Sequence, residues 1–222
     1  MIACLFSGGK DSTLALHRVF SSNRRVDLLI TMGSENEFSY MFHKPNVEFT
    51  RMQAEALGIK QVFSYTKGEK ELELSDLKQV LSENDIDTLI TGATASMYQK
   101  VRIDNICKDL DIVHESPLWL IDGLSELNEL AKDFDIIITR VAADGLDNSY
   151  LGKHIDDDLI KKLQILREKK RISLTFEGGE AESFALDGPL FKKGLRIKKS
   201  HIDNSNGVGT LIIDSMEFIN KD

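Results

Sequence analysis

Hydrophobic residues enter this chain in short blocks separated by polar stretches of about helix length. Ile2-Ala3-Cys4-Leu5-Phe6 is apolar without a break, and Leu14, Leu16 and Val19 follow as apolar positions compatible with a helix, in a segment too short to fix its period. The unbroken run predicts a strand buried on both faces, as strands of parallel sheets are. The pattern then repeats. Val26 to Met32 predicts a second strand ending near Gly33, and Asn46 is placed to cap a helix running to Leu57, with Gly58 just past its end. Ile59 to Tyr65 predicts a third strand and Leu74 to Leu81 a helix. Thr88 to Ala93 predicts a fourth strand running into a small-residue loop, Tyr98 to Leu110 a helix, and Ile112-Val113 the start of a fifth strand. Strands alternating with helices at this spacing predict right-handed crossovers and an α/β fold with a doubly wound parallel sheet.

The character changes near Ser116-Pro117-Leu118-Trp119. Beyond it, Leu124 to Phe134 predicts a helix, Ile136 to Thr139 a strand, and Asp156 to Lys170 a charged helix. Leu195 to Ile202 and Gly209 to Phe218 flank Asn204-Ser205-Asn206-Gly207, the signature of a β-hairpin. The expected organisation is an α/β domain over 1–115 and a smaller C-terminal α+β lobe with mixed strands over 116–222.

Composition narrows the class. The chain has 222 residues, 41% hydrophobic and 29% charged, with no apolar run of membrane-span length. It opens directly on a core strand, so no signal peptide is expected and the reading is cytoplasmic. Cys4 falls in a strand and Cys107 in a helix, without CxxC spacing, which predicts two buried, reduced thiols. The net charge of −8 does not favour a nucleic-acid partner, since phosphate neutralisation needs a basic face. The Asp156 to Lys170 helix carries acids at its start and bases at its end, matching the helix dipole. A homo-oligomer is compatible with the sequence.

The chemistry concentrates at Ser7-Gly8-Gly9-Lys10-Asp11-Ser12, between the first strand and first helix. Glycines let backbone N–H groups approach an anion closely, and a helix N-terminus adds partial positive charge. Lys10 supplies a full charge, Ser7 and Ser12 hydroxyls. Asp11 would repel phosphate unless a divalent cation lay between them, which points to Mg²⁺ at Asp11. The spacing excludes a Walker A loop. The hexapeptide instead resembles the phosphate loop (PP-loop) of the N-type ATP pyrophosphatases, of adenine nucleotide alpha hydrolase-like fold, which split ATP to AMP and pyrophosphate. If the first strand is central, this loop and Gly92-Ala93 meet at the carboxyl edge where strand order reverses, with adenosine near Thr31 and Met32.

Further segments extend the resemblance. Met41 to Asn46, Ala95 to Gln99 with Arg102 and Cys107, Pro117-Leu118-Trp119, Gly145-Leu146-Asp147, Leu151-Gly152, Glu177 to Glu180 and Leu186 to Lys192 fall in the order seen in diphthine–ammonia ligases. The chain departs from that family's usual pattern at four positions: Tyr150 stands for Trp, Phe176 for Gly, and in Ala181-Glu182-Ser183, where the family has Phe-Glu-Thr, Ala181 for Phe and Ser183 for Thr. The resemblance implies that ATP activates the carboxylate of diphthine, a modified histidine on elongation factor 2, as an acyl-adenylate that ammonium converts to the amide. It implies ATP and Mg²⁺ as cofactors, Lys10 and Asp11 at the phosphates, and Glu177 and Glu180 as catalytic candidates.

Amidating a carboxylate needs a leaving group, and attack on the α-phosphorus of ATP creates one without a side-chain nucleophile. Glu177, Glu180 and Glu182 could bind Mg²⁺, receive ammonium or face the quaternary ammonium of diphthine; the plainer alternative is a solvated acidic turn. Tyr98, Gln99 and Arg102 share a helical turn, with Arg102 facing phosphate or a substrate carboxylate if not solvent. His43 and Asn46 are candidates for substrate contact, and Trp119 either lines the cleft or belongs to the core. Lys10 and Asp11, on a polar loop, are expected to be replaceable without harm to the fold. The rival readings are a tRNA-modifying or metabolite-modifying adenylating enzyme, whose thiolase members would want a cysteine pair, and a non-catalytic ATP sensor.

Overall fold

The structure, a computed structural model, describes residues 1–34, 46–67, 69, 72–205 and 207–221. The chain divides into two compact units, Met1–Trp119 and Leu120–Asp222.

The first unit is built on strands β1 (Ile2–Leu5), β2 (Leu28–Ser34), β3 (Lys60–Thr66), β4 (Thr88–Ile90) and β5 (Val113–Glu115), all parallel, in the order β3-β2-β1-β4-β5. Helices α1 (Lys10–Ser21), α2 (Thr50–Leu57), α3 (Leu72–Ser82) and α4 (Met97–Asp109) connect them. The order explains the layering. From β1 the chain steps outward through β2 to β3, then returns to the other side of β1 for β4 and β5. Right-handed crossovers in opposite directions put helices on opposite faces, so α1 and α2 share one face and α3 and α4 the other. Leu77, Val80 and Leu81 of α3 and Ile103 and Ile106 of α4 accordingly close over Ala3, Leu28, Ile30 and Leu89. All seven residues of β2 are buried, Thr31 and Ser34 among them, as a strand covered on both faces requires.

Asn46 does not cap α2 as expected. It takes a left-handed conformation, φ 62°, with no side-chain capping bond, and leads into a 3₁₀ turn over Val47–Phe49. Asn tolerates this region better than branched residues, so the residue serves as a turn instead. Gly58 does end α2 in the left-handed region, φ 69°.

The second unit packs α5 (Gly123–Asp133) and α6 (Asp157–Lys170) with strands β6 (Asp135–Val141), β7 (Ala181–Asp187), β8 (Lys193–Ser205) and β9 (Val208–Asn220), in the order β7-β6-β9-β8. Every pairing is antiparallel, not mixed. The helices are capped by carboxylates: Asp122 accepts from the Ser125 amide at 2.9 Å and Asp156 from the Leu159 amide at 2.8 Å.

Candidate active site

The 7–12 loop leaves β1 at the centre of the sheet and enters α1. Gly8 has φ +78°, a conformation open to glycine at little strain. Gly9 is the N-cap of α1 and, having no side chain, leaves the first-turn amides without a side-chain acceptor. The loop is braced from within: Ser7 Oγ and Ser12 Oγ lie 3.2 Å apart, and Ser12 Oγ donates to the Gly9 carbonyl at 3.2 Å. Lys10 forms an ion pair with Asp11. Its side chain is only 1% exposed, so Lys10 is a buried residue and not, as expected, a surface one. The Asp11 carboxylate remains 37% exposed.

Beneath the loop lies a polar network with no obvious sequence signature. Gln53, fully buried on α2, donates from Nε2 to the Gly8 carbonyl at 2.9 Å. Thr31, in the middle of β2, donates to the Phe6 carbonyl at 2.6 Å and accepts from Gln61 Nε2 at 2.8 Å. Gln61 also reaches Thr50 Oγ1 at 2.9 Å, and Thr50 donates to the Val47 carbonyl at 2.6 Å. The Thr31 hydroxyl and the Met32 side chain, which is buried in the core, are therefore committed to structure at the place expected for adenosine. Gly92, after β4, meets the loop directly. A Cβ there would fall 2.7 Å from the Asp11 carbonyl carbon and the Ser12 nitrogen. The two loops meet across the β1–β4 boundary, the point where strand order reverses. Ala93 follows, half-buried.

On α4, capped by Ser96 through the Gln99 amide at 3.3 Å, Arg102 stacks over Tyr98 with its guanidinium 3.6 Å from the ring centroid. Lys100 lies 5.5 Å from the ring centroid of half-buried Trp119. Lys100 also donates to Asp104 at 2.7 Å, and Asp104 meets His114 Nδ1 at 2.6 Å. Burial opposes ionisation of Asp104, but Lys100 and His114 outweigh it and hold its carboxyl below the usual range. Sequence reasoning missed this cluster because its members are scattered singly through α4 and β5. His43 lies outside the described residues.

In the second unit, the acidic box straddles a turn and the start of β7. Both oxygens of Glu180 accept backbone bonds, from the Ser173 and Gly178 amides at 2.9 Å each. Glu182, on β7, pairs with Arg140 of β6 at 3.2 Å. Glu177 is half-buried. Phe176 takes φ 61° with its ring buried, at the position where the resembled family carries glycine. Glu180 thus organises the turn that presents Glu177.

Both cysteines are free and buried. Burial pushes the Cys4 thiol up to about 12, and burial with the nearby Asp104 charge pushes Cys107 to about 11. Neither is a thiolate nucleophile at neutral pH. Among the described residues no helix is long and apolar enough to cross a membrane, and no group of three or more His, Cys, Asp or Glu could hold a metal ion.

Comparison with known proteins gives a consistent result. Residues 1–113 match the diphthamide synthase N-terminal domain and residues 122–219 the diphthamide synthase C-terminal domain. The chain is 29% identical over 225 residues to the Homo sapiens diphthine–ammonia ligase, covering 90% of this chain and 84% of that one. To the Danio rerio diphthine–ammonia ligase it is 32% identical over 216 residues, 87% of this chain and 84% of that one. The Schizosaccharomyces pombe diphthine–ammonia ligase is also 32% identical over 226 residues, but these are 91% of this chain and 37% of that longer one. A solved Methanocaldococcus jannaschii chain, described as a predicted subunit of tRNA methyltransferase, superposes with a TM-score of 0.48 at 16% identity, over 85% of this chain and 97% of its own. With both units matched in order by the two halves of one enzyme family, this chain belongs to the diphthamide synthases.

Proposed function

We propose that this protein is a diphthine–ammonia ligase: it activates the carboxylate of diphthine on elongation factor 2 with ATP and converts it to the amide with ammonium, releasing AMP and pyrophosphate. The observation that supports this most is the uncapped, glycine-lined start of α1 at the strand-order reversal, in a chain of this family. First-turn amides with no side-chain cap, the helix dipole and two hydroxyls suit a triphosphate. Arrival of phosphate would let Lys10 exchange its Asp11 partner for phosphate oxygens, and free the Asp11 carboxylate. One carboxylate with phosphate oxygens and water is the usual provision for Mg²⁺, which would neutralise the charge developing on the phosphates.

In this reading the first unit binds the nucleotide and the second the protein substrate. Glu177, half-buried on the box turn, is the candidate to face a cationic group, ammonium or the trimethylammonium of diphthine, while Glu180 holds its turn and Glu182 its strand. Tyr98, Gln99, Arg102 and Trp119 are the candidates for substrate contacts from the first unit. The elevated thiols argue against a thiolase. The deciding experiment measures AMP and pyrophosphate with and without diphthine-bearing factor, ATP, Mg²⁺ and ammonium, together with the mass of the modified histidine. Substrate-dependent AMP with the small mass decrease of acid-to-amide conversion is expected; ADP as product would overturn the reading.

A further inference from the structure

Thr91 and Ser116 directly follow β4 and β5, and so lie at the carboxyl edge of the sheet, as does the 7–12 loop. Their hydroxyls are 3.0 Å apart and both reach His114 Nε2, Thr91 at 2.9 Å and Ser116 at 3.3 Å. His114 is 4% exposed in its side chain, and its Nδ1 faces Asp104. An ionised carboxylate only accepts, so Nδ1 carries a proton, and in the neutral imidazole Nε2 is then an acceptor. Thr91 makes the shorter of the two hydroxyl contacts to Nε2, so the string runs from Ser116 to Thr91, from Thr91 to His114 Nε2, and from His114 Nδ1 to Asp104. Every hydrogen in the string points inward, and the outer, half-buried end is the Ser116 oxygen, with lone pairs to spare.

Such a string accepts a proton at its open end and delivers it to a buried base. The Asp104 carboxylate, itself held by Lys100 at 2.7 Å, stabilises the imidazolium that results. The other charged groups around the ring are accounted for: Glu115, the next residue on β5, is held by Arg24 through bonds of 2.7 and 3.0 Å, and Cys107 of α4 is a neutral thiol. Two of the three box glutamates are poorer acceptors, since Glu180 spends both oxygens on backbone amides and Glu182 is paired.

We propose that Ser116, Thr91, His114 and Asp104 form a proton-accepting relay that binds the nitrogen donor at Ser116 Oγ and takes the proton that ammonium must lose before it can attack. The proposal rests on the ligase reading. Ammonium gives one proton to Ser116 Oγ as the Ser116 proton moves to Thr91 and the Thr91 proton to His114 Nε2. The ammonia left behind forms the C–N bond, the acyl C–O bond to AMP breaks with its electron pair leaving on the AMP phosphate, and the nitrogen's second surplus proton passes to that phosphate or to water. Ser116 touches the donor; Thr91, His114 and Asp104 act through it.

Nitrogen donors separate this from a structural role. Ammonium is protonated at neutral pH, whereas hydroxylamine is already a neutral nucleophile there. For Ser116→Ala and His114→Gln, diphthine-dependent exchange of pyrophosphate into ATP is expected to persist, because adenylation needs no ammonium. Amide formation from ammonium at neutral pH should fall about 100-fold, within the range positioned acid–base groups contribute. It should recover as alkaline pH raises free ammonia, and hydroxamate formation from hydroxylamine should match the unsubstituted protein. Equal losses with both donors while exchange is intact would overturn the relay alone. Should His114→Gln lose exchange through misfolding, Ser116→Ala, which removes one half-exposed hydroxyl, decides by the same donor comparison. Absence of diphthine-dependent exchange in the unsubstituted protein would overturn the ligase reading and the relay with it.

Discussion

Gly8→Ala tests how the phosphate loop is held. The residue sits at φ +78°, where a Cβ costs about 1–2 kcal/mol. The added carbon would also fall 2.1 Å from Gln53 Oε1. Gln53 is fully buried and donates to the Gly8 carbonyl at 2.9 Å, so it cannot swing away without breaking that bond. A buried amide that loses its partner costs about 1–3 kcal/mol. The sum, about 2–5 kcal/mol, is a large share of the roughly 5–15 kcal/mol that holds a typical native state. Trp119, the only tryptophan, ends the first unit, so its emission during urea unfolding reports that unit. The denaturation midpoint should drop, and nucleotide affinity should weaken further because the loop is displaced. Gln53→Ala removes the clashing atom. The double variant should therefore lose at least about 1 kcal/mol less than the two single losses added together, well outside the roughly 0.5 kcal/mol of independent sites. Additive losses would refute the claim that Gln53 and Gly8 act as one unit.

Three further outcomes follow from the same geometry. Lys10→Ala and Asp11→Ala should each abolish substrate-dependent AMP formation and each lower the urea midpoint, the first by emptying a buried position and the second by taking the paired carboxylate from a buried ammonium; an unchanged midpoint for Lys10→Ala would refute the burial argument. Asp104, whose carboxyl is held low, lends stability that is complete at neutral pH and is lost as pH falls through its folded-state value, below the ordinary carboxyl at about 4; Asp104→Asn should flatten that part of the acid limb in pH-dependent unfolding, and an unchanged limb would count against the ion pairs. Phe176→Gly should relieve about 1 kcal/mol of left-handed strain yet forfeit about 3–5 kcal/mol of buried ring, a net loss seen in thermal unfolding; a gain would mean the ring contributes little.

The order of elements in the first unit was legible because parallel strands buried on both faces are rich in apolar residues, as in the unbroken run at 2–6 and the Leu28-Leu29-Ile30 core of the second strand. Strand β7 was not. It begins inside Glu-Gly-Gly-Glu-Ala-Glu-Ser, where acidic and glycine-rich composition reads as a turn, and only the pairing of Ile137 with Phe184 and of Arg140 with Glu182 makes it a strand. Asn46 misled for a related reason. An Asn before an apolar-spaced segment is an N-cap by statistics, but the same short amide is also among the best side chains for a left-handed turn.

The site divides along the same physical line. A loop whose function lies in its backbone advertises itself, since only glycine serves at Gly8 and Gly92 and only a few side chains complement phosphate. The groups that fix such a loop are different in kind. Gln53, Gln61 and Thr31 matter because the fold buries them together, and any polar residue of their size on a solvated face would look the same in sequence. His114 makes the point most sharply: a lone histidine in Val-His-Glu is unremarkable until the parallel register sets β5 beside β4, so that Thr91 and Ser116 reach one ring nitrogen and α4 brings Asp104 to the other. Chemistry carried by residue type at fixed spacing can be read along the chain, whereas chemistry carried by register becomes visible only when the sheet is assembled.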